Sequence, residues 1–501
     1  MLQVFLPKYT LFGFLLLFAT FFSTEAQDIQ YNADSQTNAG APHLTRLTGN
    51  VRIRQNNLFI KCDEAVFDNS QNSFTARNNV KVKQDEMVIS ADELDYDGNR
   101  KLGKFRKNIN VNSQDRILYT EFLDFNSGEN SGYFYNGGKV IDEKSTLVAS
   151  RGYYYSTNSS YLFLDKVFVD YPDYDIFTDT LRYQLNDNLV IMQGPTRIIS
   201  DNNFIYCEKG KVNTKTDITE FSQNAYIINS RQRLAGTKIV YDRQTGVGKA
   251  YGNVSMRDSI QNVVITGDFA EYTEKPESSL IAGHALFVQG EKGDSLYLHA
   301  DTLRSEYNDD GSYKLLLAYR KVKMFRTDMQ SACDSLAYVF SDSTINMHHK
   351  PVLWSDINQI TSEVIKIKMR DQKAETMTMV GESFIISQED TVHYNQIKGR
   401  DMKAHFSQNQ LSLIEVLSNA ESIYFPKEET DIIGLNKSES ERMKIYLTEG
   451  KVQKILFLAK PKILLSPLED VKKEDFKFQK FVWLDTVRPY KPEEVFNWTV
   501  Y

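Results

Sequence analysis

The side chains able to do chemistry in this 501-residue chain are few and badly spaced for it. Cys62, Cys207 and Cys333 are an odd number with no C-x-x-C pair, so neither a zinc site nor a disulfide framework has its spacing. Of seven histidines, His348 and His349 form the one adjacent pair, and neighbours on a strand point to opposite faces, so a shared metal is not expected. There is no H-E-x-x-H, no G-x-S-x-G and no P-loop. What does recur is a carboxylate: Asp63, Asp92, Glu121, Asp179, Glu208, and later Asp268, Asp301, Asp334, Glu363 and Asp401. One acid per period without a D-x-D loop is a poor calcium cage. Its expected task is to bond polar groups freed at a bend. The residues therefore point away from an enzyme, with no catalytic residue, metal or cofactor expected.

Charge and composition narrow the class further. Lys and Arg number 59 against 66 Asp and Glu, a net charge of −7, which excludes the basic footprint of a nucleic-acid binder. The chain holds 28 Tyr and 30 Phe, side chains that suit a pleated sheet. Near the N-terminus, Lys8, an apolar run from Leu11 to Phe22, and small residues at Thr24 and Ala26 read as a signal peptide over residues 1–26. The run is short of the ~20 residues a spanning helix needs. An exported, soluble chain is expected.

The recurring acid belongs to an internal repeat of 29 residues that runs without a gap for eight units from Gly49. One apolar column reads Ile53, Val82, Val111, Val140, Val169, Ile198, Ile227, Met256. A second reads Ile60, Ile89, Leu118, Leu147, Ile176, Ile205, Leu234, Val263. With 41% of residues hydrophobic, one such column arises by chance on the order of once in a thousand trials. Small residues fill a third column (Cys62, Ala91, Thr120, Ala149, Thr178, Cys207, Gly236), and aromatics a fourth (Phe67, Tyr96, Phe125, Tyr154, Tyr183, Tyr241).

Within a unit the alternation has period two, so these are strands: Val80 and Val82 face one way, Lys81 and Lys83 the other. Parity slips at Asp92-Glu93, as a bulge or sharp bend would make it. Each unit is then two bent strands joined by polar turns, contributing an arm to each of two facing sheets. The expected fold is all-β, an elongated V-shaped β-jellyroll of stacked bent-strand repeats, growing roughly 10 Å per repeat. Five periods separate Cys62 from Cys207, about 50 Å, so they fill the small-residue slot and do not pair. After residue 281 the register loosens but its grammar continues. The expected organisation is a linker at 27–48, regular repeats at 49–281, a degenerate continuation at 282–465 interrupted by a charged insertion at 426–442, and a Pro-punctuated docking or capping tail at 466–501.

The openings Gly49-Asn50-Val51, Asn78-Asn79-Val80 and Gly252-Asn253-Val254, with the segments Ile60 to Asp68 and Ile89 to Asp97, carry a family resemblance. At these columns the chain resembles the OstA/LptA family of periplasmic lipopolysaccharide-transport proteins. The likeness is good over 49–281 and dilute to about 465. It implies an apolar groove between two sheets that takes the acyl chains of lipid A. It also implies edge strands that join other transport components or a second copy end to end. The chain departs from the family in having many more repeats than the short bridge protein and no long C-terminal barrel. The groove residues expected are Val51, Ile53, Ile60, Val80, Val82, Ile89, Ile109, Val111, Leu118, Val140 and Leu147. Arg52, Arg54, Lys81 and Lys83 belong either at a phosphate-binding rim or on a solvated outer face. The alternative is an exported structural or polysaccharide-binding β-solenoid with a closed core.

Overall fold

A computed structural model describes residues 29–501, apart from 114–115, 202, 230–231, 291–294, 372, 408–409, 430 and 449–450. The expected signal peptide lies outside the described residues. The chain divides into two units, one ending at Ser159 and one running from Ser160 to Tyr501. Among the described residues both are built of antiparallel strands, with a few 3-10 turns and no α-helix.

The bend is a repeated bulge. Alternate strands carry two consecutive left-handed residues: Gly49-Asn50, Asn78-Asn79 and Lys107-Asn108 in the first unit, Asp165-Lys166, Gln223-Asn224 and Gly252-Asn253 in the second. Two residues there oppose one. Arg77 faces Glu93 and Val80 faces Ala91, so Asn78-Asn79 sit opposite Asp92 alone. The parity slip at Asp92-Glu93 is present, since Ile89 and Ala91 are buried and then Leu94 and Tyr96. The backbone distortion behind it sits on the partner strand, at Asn residues that tolerate the left-handed region. At the corresponding position of another bulge, Gly194 (φ +85°), a Cβ would meet the Asp179 carboxylate at 2.8 Å, so glycine is the residue that fits without moving that side chain.

The recurring acid clasps this bulge. Asn50 donates to Asp34 at 2.7 Å, Asn79 to Asp63 at 2.7 Å, Asn108 to Asp92 at 2.6 Å and Asn224 to Glu208 at 2.7 Å. The acid thus pairs mainly with a side chain of the adjacent strand; a backbone bond of the expected kind is made by Glu121, which accepts from the Asn108 N–H.

The two aliphatic columns are one row. Ile53 pairs with Ile60, Ile60 with Val82, Val82 with Ile89, Ile89 with Val111 and Val111 with Leu118. The second unit has a row of its own through Ile198, Ile205, Ile227, Leu234 and Met256. There the expected register errs by two residues, because Met256 pairs with Ile265 and not with Val263.

Two boundaries also differ. Within 27–48, set apart as a linker, the chain forms strands Gln30–Asn32 and Ser35–Asn38, both paired to Leu44–Gln55. Asp34 lies 29 residues before Asp63, a signal legible in the sequence. Within 426–442, read as an insertion, Gly434–Ser440 is an integral strand between Ala420–Tyr424 and Lys462–Pro467. Its buried positions include Ser438 and Ser440, so the aliphatic alternation that marks other strands is missing. Only the small hairpin Lys427–Glu428 with Asp431–Ile432 stands apart from the main sheet.

The tail docks within the second unit. Phe476 packs with Ile423, Phe425 and Leu435; Phe478, Phe481 and Trp483 cover Phe384, Ile386 and Tyr394; Val487 lies on Ala332, Val352 and Trp354. These strands are therefore buried on both faces, which produces unbroken runs such as Val352–Ser355.

Candidate functional site

The candidate site is the inward row, taken within each unit, and its exposure varies along the chain. In the first unit Val51, Ile53, Ile60, Val80, Val82, Ile89 and Ile109 are at most 2% exposed. Contacts between the arms seal them. Tyr31, opposite Ile53 on one arm, meets Phe67 on the other with ring centroids 4.9 Å apart. The Gln55 amide accepts from the Tyr96 hydroxyl at 2.7 Å and donates to the Gly98 carbonyl at 3.2 Å. One repeat later Gln84 donates to the Ser127 carbonyl at 3.0 Å, and Tyr96 lies 3.1 Å from the Ser127 hydroxyl. Burial pushes the Tyr96 phenol above its usual pKa, so it stays a proton donor in this latch.

The row loosens further on. Val111, Leu118 and Val140 are partly exposed, and Leu147 is at the margin of burial. In the second unit Ile198, Ile205, Ile227 and Leu234 are partly exposed, a set the sequence columns contained but which was not singled out. The opposite arm there presents Tyr183, Val190, Val212 and Tyr241, also partly exposed. Tyr241 donates to Glu274 at 2.5 Å, and burial together with that carboxylate pushes its pKa up to about 12. Beyond this stretch Ile265, Phe287 and Leu298 close the interior again.

The floor is the small-residue column. Cys62 and Cys207 are buried there, and their hydroxyl counterparts are satisfied: Thr120 donates to the Gly137 carbonyl at 2.8 Å, and Thr178 lies 2.9 Å from Thr196. All three cysteines are free. Burial, aided by Asp63 and Glu208, pushes the Cys62 and Cys207 thiols up to about 12, and burial raises Cys333 as well. The native thiols are therefore expected to react with Ellman's reagent at pH 8 at least ~100-fold more slowly than in guanidinium, where all three react.

Arg52, Arg54, Lys81 and Lys83 alternate with the inward row and are exposed on the outer face, Arg54 lying 5.0 Å from the Phe59 ring. Of the two places the sequence allowed them, they take the solvated one. His348 ends a strand, and His349 is a left-handed bulge residue, so the pair sits at a bend and not within a strand. Their rings are 6.5 Å apart beside a cleft of about 940 Å³ that Asp334, Glu363 and Tyr501 also line. Among the described residues no three His, Cys, Asp or Glu converge as metal ligands. No helix among them is long and apolar enough to cross a membrane.

Comparison with known proteins gives a family signal in one part of the chain. Among solved structures the chain is similar to LptH of Pseudomonas aeruginosa, described as the LptA homologous periplasmic component of the conserved lipopolysaccharide transport device. The identity is 14%, over 23% of this chain and 82% of that one, with a TM-score of 0.21. No curated protein matches. Residues 25–179 match the family described as OstA-like protein. That stretch contains the first bulge pairs, their acid clasps and the apolar row of the first unit, and it is an OstA-like region.

Proposed function

We propose that this chain is a non-enzymatic periplasmic carrier that holds lipid acyl chains between its arms as part of lipopolysaccharide transport toward the outer membrane. The observation that carries the reading is the apolar row that is latched shut at Ile53–Ile89 and relaxed at Val111–Val140 and at Ile198–Leu234. Hydrocarbon entering there gains about 0.8 kcal/mol per buried CH₂. The OstA-like match supports the class of ligand. Among the eleven expected groove residues, Val111, Leu118, Val140 and Leu147 are the ones placed to touch it, and the sealed seven form the closed end of the slot.

Partners at the end of the stack follow from its edges. Among the described residues Lys451–Leu458 and Lys462–Pro467 each pair on one side only. Ile463, Leu464 and Leu465 are 55–63% exposed there. An exposed apolar edge strand is a template for strand addition, by another transport component or by a second copy.

Photocrosslinking in cells tests the reading. A crosslinker at Leu118 or Ile205 is expected to trap lipopolysaccharide, with little or none from Ile60 and Arg52. Absence of any lipid adduct at Leu118 and Ile205 in folded protein favours the second reading, a closed-core exported solenoid, which the latch at Gln55 and Gln84 supports for the first repeats.

A further inference from the structure

Three glutamines stand in one row on the outer face of the second unit, alternating with apolar residues. The row reads Gln330, Trp354, Gln359, Ile386, Gln396, Ile423, each paired with the next across the sheet. The glutamines are at most 4% exposed, so their amides need partners. The tail supplies them, through its backbone at Gln359 and Gln396 and through the Arg488 side chain at Gln330. Gln396 accepts from the Phe478 N–H at 2.9 Å and donates to the Phe476 carbonyl at 2.7 Å. Gln359 accepts from the Leu484 N–H at 2.6 Å and donates to the Val482 carbonyl at 2.7 Å. Gln330 accepts from the Arg488 guanidinium at 2.7 and 2.8 Å.

The two bidentate contacts have one geometry. Each side-chain amide takes a carbonyl and the N–H two residues later, as a neighbouring strand would, and the two grips are six residues apart. Aromatic side chains cover the apolar steps beside the grips, Phe476 at Ile423 and Phe478, Phe481 and Trp483 at the cluster that contains Ile386. Lys477 lies 4.5 Å from the Phe481 ring and Lys480 reaches Glu382 at 3.0 Å. Segment 476–484 has no ladder pairing with the strands beneath it. Its attachment thus rests on side chains reading an extended backbone, the manner in which a peptide is recognised.

We propose that this outer row is a recognition site for an extended aromatic peptide, and that residues 476–488 are its displaceable resident, exchangeable for the same segment of a second copy of the chain. The inference is independent of the lipid reading, since the row faces away from the interior. The probe is a fluorescein-labelled peptide of residues 474–490, read by anisotropy. The acceptor is the full chain carrying Phe476→Ser, Phe478→Ser and Trp483→Ser, which frees the site without altering it. The peptide is expected to bind this variant at least ten-fold more tightly than the unaltered chain, whose own tail competes. Adding Gln359→Ala and Gln396→Ala is expected to weaken binding at least ten-fold. Equal binding to the unaltered chain, indifference to the two glutamines, or no binding to a variant with unchanged circular dichroism overturns the proposal. Hydrogen exchange on the unaltered chain gives a second reading that needs no variant. The Phe478 and Leu484 amides are expected to exchange by local opening, well before the Ile385 amide in the sheet. Protection equal to that of Ile385 overturns displaceability.

Discussion

Ile89→Asp is expected to prevent the first unit from folding at pH 7, whereas Leu118→Asp is expected to fold and to lose lipid only from its own stretch of the row. The two residues occupy the same inward row and are both bonded across the sheet to Val111. They differ in access: Ile89 is fully buried and Leu118 is partly exposed. At Ile89 the substitution removes a packed aliphatic side chain, about 2–4 kcal/mol. It also forces a carboxyl to remain neutral far above its unfolded pKa, about 4 kcal/mol at pH 7. The sum approaches the whole stability of an ordinary domain, about 5–15 kcal/mol. At Leu118 water reaches the charge, and the loss falls to about 1–2 kcal/mol. The pH dependence checks the cause. A carboxyl whose folded pKa is raised destabilises least below its unfolded pKa, and the deficit grows as pH rises toward the folded value. Urea unfolding of Ile89→Asp is therefore expected to show partial recovery near pH 4. Lipid adducts from the Ile205 position of the second unit are expected to persist in Leu118→Asp, because that position has its own stretch of open row.

What the sequence disclosed and what it withheld divide along a physical line. Period and alternation report which residues share a face, so the strands, the bend and the inward row were legible from Ile53 onward. They also placed Cys62 and Cys207 on the floor as small residues. Period does not report how far two arms stand apart. That distance is set by single polar contacts between residues some forty positions apart, Gln55 with Tyr96 and Gln84 with Ser127, which look in the sequence like ordinary turn-flanking residues. The seven sealed members of the expected groove and the open Ile198–Leu234 stretch carry the same aliphatic signature, and the latch at Gln55 and Gln84 is not written in it.

Polar strands were the other blind spot. Gly434–Ser440 buries serines, and the glutamine row buries amides, so neither announces a sheet surface by hydrophobicity. Both make sense once a partner covers them, because a buried amide is tolerated when its donor and acceptor are both used. Gln359 and Gln396 are legible only together with Phe476–Leu484, more than eighty residues away in the chain. The period places the Asp column at the bend, but its main partner is the Asn at the bend of the next strand, 16 residues on, which the period of the acids does not mark.

That pairing leads to the second large effect. Asn78→Val with Asn79→Val is expected to destabilise the first unit by about 3–5 kcal/mol, because each β-branched residue in the left-handed region costs about 1–2 kcal/mol and the lost Asp63 bond about 1. The native angles, φ 63° and 51°, leave valine no relaxed alternative without undoing the two-against-one pairing opposite Asp92. For a unit of this size the melting temperature falls by roughly 8–15 °C. Asn78→Gly is the control. Glycine stands at the corresponding position of other repeats, at Gly49, Gly194 and Gly252, so stability is expected to stay within about 0.5 kcal/mol. If the double valine variant melts with the unaltered chain, the bend is imposed by packing of the arms and not by the bulge. If Asn78→Gly falls as far as the valine pair, the Asn78 side chain and not the backbone conformation holds it. The expected order, glycine neutral and valine severe, assigns the bend to the left-handed pair, and with it the facing of the two arms that gives this chain an interior.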